Sequence, residues 1–253
     1  MVASCLLHAR LVHAVGLFRE EAVLSLITGV GKKGQVGETV AAALARRGDT
    51  VLLVSRSEDE VRARAAEVIS AGGTATGYGC DLSDARDVER LARRVRDDHG
   101  ERLDSLVNLA GGFGLSGPIA QSDPDAGERL FAINVRTAYL TTRAFFSSIQ
   151  VAGGSVVFFA SEAALEGART TGVSSYAMAK SAVVALMRSV ADEGRALGVR
   201  ANALAPAAIR TETNEATMGK DTHYVERDDV ASVVAFLCSP AARAITGQVI
   251  RLR

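Results

Sequence analysis

Two side chains with opposite proton chemistry, Tyr176 and Lys180, are four residues apart in the sequence. The run from Tyr176 to Leu197 contains good helix formers and no proline, which predicts a helix. Residues four positions apart share one face of a helix, with Cβ atoms about 5–6 Å apart. A phenol has an ordinary pKa of about 10, and a neighbouring ammonium group lowers it by stabilising the phenolate. The pair could therefore exchange a proton with a substrate, although long helices also contain such pairs by chance.

A glycine-rich stretch follows the first predicted strand, 22–27, and precedes a helix predicted from Glu38 to Arg47. Its glycines are Gly29, Gly31, Gly34 and Gly37, and the first three match the spacing G-x-G-x-x-G. Glycine allows the backbone to approach an anion, and the start of a helix offers amide donors and a positive dipole end. The order strand, glycine turn and helix predicts a phosphate-binding loop. A merely flexible connection is the alternative.

The second predicted strand, Thr50–Ser55, is followed directly by a cation, Arg56. In sites for NAD an acidic residue near this point binds the ribose 2′-hydroxyl, and no carboxylate ends the strand here. A guanidinium group suits a 2′-phosphate, because it offers paired, charge-assisted hydrogen bonds. The pattern therefore favours NADP(H), with NAD(H) still possible. The alternative is a solvated arginine at a strand end.

Predicted strands and helices alternate along the rest of the chain. Strands are expected at 75–78, 103–110, 154–160, 199–206 and 248–252, and helices at 58–70, 85–98, 124–149 and 228–237. This order predicts one α/β domain over residues 22–253, a Rossmann-like, doubly wound parallel sheet with helices on both faces. Sites in such sheets lie outside the carboxyl ends of the strands, where the residues named above fall.

Composition excludes several classes of function. Lysine plus arginine and aspartate plus glutamate both number 29, so the net charge is zero, which argues against a nucleic-acid-binding protein. Three distant cysteines and four scattered histidines predict no disulfide framework and no metal site. No apolar run reaches the length of a membrane span, and we expect a cytoplasmic protein. Residues 1–21 contain no acid before Glu20, which fits a transit peptide, but an unneeded extension or surface helix is favoured.

These features together resemble the short-chain dehydrogenase/reductase superfamily over residues 22–252. Tyr176-x-x-x-Lys180 is similar to the family's catalytic motif, Ser161 follows the fifth strand as its catalytic serine does, and Asn134 matches its fourth catalytic member. The glycine loop and the second strand, together with the resemblance, predict a set of cofactor contacts. They are Gly29, Lys33, Gly34, Val36, Gly37, Ser55, Arg56, Asp81, Leu82, Asn108, Ala110, Gly111, Tyr176, Lys180, Pro206, Ile209 and Thr211.

The resemblance implies hydride transfer between NAD(P)(H) and an alcohol or carbonyl substrate. Tyr176 would act as general acid/base, and Lys180 would lower its pKa and hold the nicotinamide ribose. Ser161 would bond the substrate oxygen, and Asn134 would hold a water that connects Lys180 to solvent. Residues 207–227, which look polar and mobile, would form a substrate lid. Relatives commonly form homodimers or homotetramers, and we expect the same here.

Parts of the chain depart from the family pattern. The turn from Thr28 to Gly37 is two residues longer than the usual Thr-Gly-x-x-x-Gly-x-Gly, and Gln35 replaces its middle glycine. The longer turn suits a divergent enoyl reductase, but that branch spaces its tyrosine and lysine more widely than this chain does. A dinucleotide-binding sensor without turnover is a third possibility, against which the complete set of four catalytic residues argues.

Overall fold

In the computed structural model, residues 22–253 are described, and the predictions for residues 1–21 fall outside that part of the chain. Its sheet has seven parallel strands in the order β3-β2-β1-β4-β5-β6-β7. The strands are β1 Leu24–Thr28, β2 Thr50–Ser55, β3 Thr74–Gly79, β4 Ser105–Asn108, β5 Ser155–Phe159, β6 Arg200–Pro206 and β7 Val249–Leu252. The strand order reverses between β1 and β4, which is the point where a doubly wound sheet opens a crevice for ligands.

Helices cover both faces of the sheet, as predicted. They are α1 Val36–Arg46, α2 Glu58–Ser70, α3 Ala85–His99, α4 Pro124–Phe131, α5 Thr137–Ala152, α6 Ser174–Gly194, α7 Glu212–Met218 and α8 Arg227–Leu237. Side chains of one strand alternate between two apolar layers: Leu26 and Phe158 pack with one face's helices, while Ile27 and Val157 pack with the other's. Because both faces are covered, the central strands β1, β4 and β5 are mostly apolar and buried along their whole length, as is typical of parallel sheets. The predicted Rossmann-like fold is confirmed.

Two local features differ from the sequence prediction. The helix expected over 124–149 is interrupted by a π-helical turn, Ala132–Arg136, between α4 and α5. The polar segment 207–227 contains α7, which begins at the side chain of Thr211, whose Oγ1 accepts a hydrogen bond from the Asn214 amide. Tyr224 closes this segment by donating from its hydroxyl to the Gly219 carbonyl at 2.8 Å. Each of these bonds joins residues no more than five positions apart, so the sequence prediction missed the helix although its contacts are local.

No helix within residues 22–253 is both long and apolar enough to cross a membrane.

Candidate active site

Three of the predicted catalytic side chains meet at the carboxyl end of β5. Ser161 follows that strand and begins a short 3₁₀ turn, in which its Oγ accepts a hydrogen bond from the Ala163 amide. Helix α6 carries Tyr176 and Lys180 in its first two turns. The Lys180 ammonium donates to the Phe159 carbonyl at 2.8 Å, and its Nζ lies 5.8 Å from the centre of the Tyr176 ring. The hydrogen bond from Lys180 to Phe159 thus connects α6 to the end of β5.

Burial controls the protonation of this pair. It raises the pKa of Tyr176 above its ordinary value, while an interaction with the Ser161 hydroxyl acts in the opposite direction. It lowers the pKa of Lys180 to about 8, because the buried ammonium loses its hydration. The sequence prediction that Lys180 lowers the pKa of Tyr176 is therefore wrong for this geometry. The lysine directs its charge to a carbonyl, and the desolvation of the phenol dominates.

Asn134 lies in the π-helical turn and connects it to the loop after β4. Its Nδ2 donates to the carbonyls of Gly112 and Leu130, at 3.0 and 2.9 Å, and its Oδ1 accepts from the Gly112 amide at 3.2 Å. Both amide hydrogens of the side chain are used in these bonds. A water held by Asn134 would have to bond the remaining lone pair of Oδ1 or the residue's own backbone carbonyl. The side chain visibly positions the loop.

Close neighbours leave no room for a Cβ at two predicted cofactor positions, side chains at Gly111 and backbone at Gly29. A Cβ on Gly111 would lie 2.5 Å from the Asn134 Oδ1 and 3.4 Å from the Lys180 Nζ. Gly29 has a φ of 77°, and a Cβ there would lie 2.9 Å from the Cα of Ala110. The glycine loop and the β4 loop therefore touch through their backbones, which only residues without a side chain permit.

The start of α1 holds an anionic group supplied by the protein itself. The Gly34 amide donates to the Glu38 carboxylate at 2.7 Å, while Gln35, which precedes the helix, makes no side-chain cap. Sequence reasoning missed this role of Glu38. The signal was its position, since a glutamate at the third residue of a helix commonly bonds back to an amide before it.

A second carboxylate was also missed, at the end of β2. A Cβ on Gly31 would lie 2.5 Å from the Ser55 Oγ and 2.8 Å from the Glu60 Oε2, so both side chains border the glycine loop. No carboxylate ends β2 itself, as the sequence indicates, but Glu60 brings one to the same corner from α2. Ser57 accepts a hydrogen bond from the Glu60 amide at 3.3 Å, and the sequence Ser-x-x-Glu is the capping-box pattern that could have located Glu60.

The two predicted cations of this corner have different surroundings. Ser83 holds the pKa of Asp81 below its usual range through hydrogen bonds, and the charge of Arg56 lowers it further. Lys33 is 75% exposed and has its Nζ 3.8 Å from a Glu67 oxygen on α2. Arg56 is thus the cation whose charge acts beside the β3 loop, whereas Lys33 faces α2.

The remaining predicted contacts lie at the carboxyl ends of β1, β3, β4 and β6 or just beyond them. Asn108 donates to the Thr142 hydroxyl at 2.9 Å, and its buried Oδ1 has no partner within residues 22–253. Val36 is the first residue of α1, and Gly37 follows it and lies against Val30. Leu82 is buried after β3, and Pro206 is the last residue of β6. Ile209 forms a β-bridge with Val225, and Thr211 caps α7. Their contacts with a cofactor stay predictions.

Known proteins resemble this chain over most of its length. The model of a family described as Enoyl-(Acyl carrier protein) reductase matches residues 29–252. A tropinone reductase homolog of Arabidopsis thaliana is 32% identical over 246 residues, which cover 91% of this chain and 88% of the relative. A 2-(S)-hydroxypropyl-CoM dehydrogenase of Xanthobacter autotrophicus is 30% identical over 238 residues, covering 87% and 91%. The structure of a short-chain type dehydrogenase/reductase from Mycobacterium ulcerans has a TM-score of 0.82 and 32% identity, and covers 91% of this chain and 88% of its own.

The family model and the structural likeness cover most of this chain, including its seven-stranded sheet, its glycine loop and the helix of Tyr176 and Lys180. The chain belongs to the short-chain dehydrogenase/reductase superfamily of oxidoreductases.

Proposed function

We propose that this protein transfers a hydride between a nicotinamide dinucleotide and the carbon of an alcohol or carbonyl substrate, with Tyr176 as general acid/base. The observation that carries the proposal is the meeting of Ser161, Tyr176 and Lys180 at the end of β5. There the tyrosine is half-buried and the lysine is fixed by the Phe159 carbonyl. A group that exchanges a proton in such a place is positioned before the substrate arrives.

The residues divide the work by their chemistry. The Ser161 hydroxyl would donate a hydrogen bond to the substrate oxygen, on which charge develops. Because burial raises its pKa, Tyr176 keeps its proton near neutral pH and is set to donate it, as carbonyl reduction requires. Alcohol oxidation needs the phenolate and should become faster as the pH rises. The nicotinamide cofactor, when bound, supplies or receives the hydride.

The loop after β1 fits a dinucleotide on an observation independent of the motif. Its Gly34 amide bonds an anionic oxygen, that of Glu38, and a phosphate oxygen would take the same amide once the Glu38 carboxylate has turned away. We propose that Gly29, Gly34 and Gly37 hold the diphosphate. Tyr176 and Lys180 would hold the nicotinamide ribose.

We further propose NADP(H) as the preferred cofactor. Arg56 supports it, because its charge acts at the corner where β2 and β3 end. Glu60 opposes it, because a carboxylate beside Ser55 repels a phosphate and can accept hydrogen bonds from a ribose. The preference for NADP(H) should therefore be modest, and each of the two side chains should shift it in its own direction.

A divergent enoyl reductase is the second candidate. The description of the matching family model and the lengthened glycine loop favour it. The four-residue spacing of Tyr176 and Lys180, which brings both side chains to β5, favours carbonyl chemistry instead. A non-catalytic dinucleotide sensor is a third candidate, but it would have no need of a buried lysine beside a half-buried tyrosine.

One screen separates the three candidates. Panels of ketones, aldehydes, alcohols and enoyl thioesters are incubated with reduced or oxidised cofactor, and nicotinamide absorbance is followed for the wild type and Tyr176→Phe. We expect turnover of carbonyls or alcohols, lowered about 10²–10⁴-fold in the variant, with dinucleotide binding nearly unchanged. Turnover of enoyl thioesters alone would favour the second candidate. Dinucleotide binding without any turnover would favour the third, and a variant that keeps most of the wild-type rate would refute the role of Tyr176.

A cytoplasmic location, a substrate lid at 207–227 and assembly into a homodimer or homotetramer stay predictions.

A further inference from the structure

The loop after β4, residues 111–117, is held in place at both of its ends. Near its start the loop is bonded to the Asn134 side chain, and near its end the Ser116 amide donates to the Gly172 carbonyl at 2.8 Å. The Ser116 hydroxyl also lies 3.1 Å from the hydroxyl of Ser174, the first residue of α6. The loop is therefore positioned against the start of the helix that carries the proposed general acid.

This fixed loop presents large apolar side chains to solvent. Phe113 is 57% exposed and Leu115 is 71% exposed, whereas Gly114 and Ser116 between and after them are less exposed. The Phe113 ring contacts that of Tyr176: the ring centroids are 5.1 Å apart, and the ring planes meet at 75°. Apolar side chains that are held in the open mark a surface that a ligand covers. Because Phe113 touches the ring of the general acid, a group that covers it lies beside the reacting atoms.

The surroundings of this aromatic pair favour a neutral ligand. Residues 111–122 include no aspartate, glutamate, lysine, arginine or histidine. At the turn after Ser161 the charged side chains bond one another, since Arg251 and Arg253 both donate to the Glu162 carboxylate. The loop thus offers apolar surface and no charge with which to hold an ionic group.

We propose that Phe113 is a specificity-determining residue, and that the substrate is a neutral ketone or secondary alcohol with an aromatic ring on its reacting carbon. The inference rests on the proposed carbonyl chemistry. A substrate oxygen that takes the proton of Tyr176 lies within about 3 Å of its hydroxyl, which brings the substituents of the reacting carbon within reach of Phe113. The two protein rings form a corner, in which a flat ring can stack on one wall and direct its edge to the other. A saturated ring of the same size lacks this electrostatic preference.

Reduction of three ketones by the wild type tests the substrate class. Acetophenone has the aromatic ring, cyclohexyl methyl ketone has a saturated ring of similar size, and 4-acetylbenzoate adds a negative charge to the aromatic ring. We expect the highest kcat/KM with acetophenone. An equal or higher value for cyclohexyl methyl ketone would overturn the preference for an aromatic ring, and an equal or higher value for 4-acetylbenzoate would overturn the preference for a neutral substrate.

Variants test the role of Phe113. Phe113→Leu should lower the ratio of kcat/KM for acetophenone to that for cyclohexyl methyl ketone about two- to tenfold, whereas Phe113→Tyr keeps the aromatic ring and should keep the ratio. Phe236→Leu is the matched control, because Phe236 is also an exposed phenylalanine, 42% exposed, but lies near the end of α8. An unchanged ratio in Phe113→Leu, or an equal change in the Phe236 control, would refute the assignment. If sedimentation then showed that only Phe113→Leu dissociates an oligomer, the apolar surface would belong to a contact with a second copy of the chain.

Binding without turnover separates this inference from the proposed function. With saturating oxidised cofactor no hydride is available to a ketone, so a ligand-observed NMR titration measures the dissociation constant of acetophenone alone. We expect this constant to rise about two- to tenfold in Phe113→Leu and to stay unchanged in the Phe236 control. Binding that depends on Phe113, without reduction of any ketone, would refute the proposed function and support the site. Reduction of ketones without a preference that depends on Phe113 would refute the site and support the function.

Discussion

Replacing Lys180 by methionine should abolish activity and also change how the stability of the protein depends on pH. Lys180 is 6% exposed, and burial lowers its pKa from 10.5 to about 8. The unfolded chain therefore binds this proton more tightly than the folded chain does. Between pH 8 and 10.5 the unfolded state holds more protons, so the free energy of unfolding contributed by this group rises with pH. Below pH 8 both states are protonated and the contribution is constant.

The size of the effect follows from the difference between the two pKa values. About 1.4 kcal/mol corresponds to one pKa unit, so the wild type should gain about 3 kcal/mol relative to Lys180→Met as the pH rises from below 8 to above 10.5. All other titrating groups are common to both proteins, so the difference between the two curves isolates Lys180.

Urea unfolding of the two proteins, followed by circular dichroism at several pH values from 7 to 11, measures this difference. A constant offset is expected from the lost bond to the Phe159 carbonyl and from the change in packing, but this offset does not depend on pH. Ala182 lies on the same helix, and Ala182→Ser should give a curve parallel to that of the wild type. If the curve of Lys180→Met is also parallel, Lys180 is not held at a lowered pKa and the reasoning is refuted.

The remaining predictions concern the cofactor, the loop geometry and assembly. Arg56→Ala should raise the KM for NADPH about tenfold with little change in the KM for NADH, whereas Glu60→Gln should lower the KM for NADPH. Steady-state kinetics with both cofactors measure these constants, and a change of the NADPH KM in the same direction in both variants would contradict the prediction. Gly111→Ala should lower kcat roughly a hundredfold, because the new Cβ would lie 2.5 Å from the Asn134 Oδ1 and displace the loop. Wild-type turnover in the folded variant would contradict this prediction. Sedimentation at micromolar concentration should show a dimer or tetramer, and a pure monomer would remove this prediction.

The fold could be predicted from the sequence because strands and helices have local sequence patterns. Apolar runs such as Val51–Val54 are short, continuous and bounded by turns, which indicates buried parallel strands. The placement of Ser161 and Tyr176 at the end of β5 followed from the order of the elements, since all parallel strands end at one edge. Neither deduction needs knowledge of tertiary contacts.

The protonation and the charges of the site were less predictable because they depend on tertiary contacts. Spacing indicates that Tyr176 and Lys180 share a face, but not that burial outweighs their mutual effect. The carboxylates of Glu38 and Glu60 reach the glycine loop from helices whose first turns are visible in the sequence, yet their direction is not. An amphipathic pattern likewise does not distinguish an α-helical turn from a π-helical turn, because the π-helical turn contains only one residue more.

The extra residue of the π-helical turn affects how the two helices on either side of it are rotated relative to each other. A π-helical turn such as Ala132–Arg136 behaves as a single-residue insertion in a helix, and one residue corresponds to about 100° of rotation. The directions in which α4 and α5 present their side chains are therefore out of phase by that angle, and Asn134 lies at the break. Deleting Ile133 would restore a continuous helix and turn every side chain of α4 away from its present neighbours. We therefore expect that deletion to remove the bond between Asn134 and the Gly112 carbonyl.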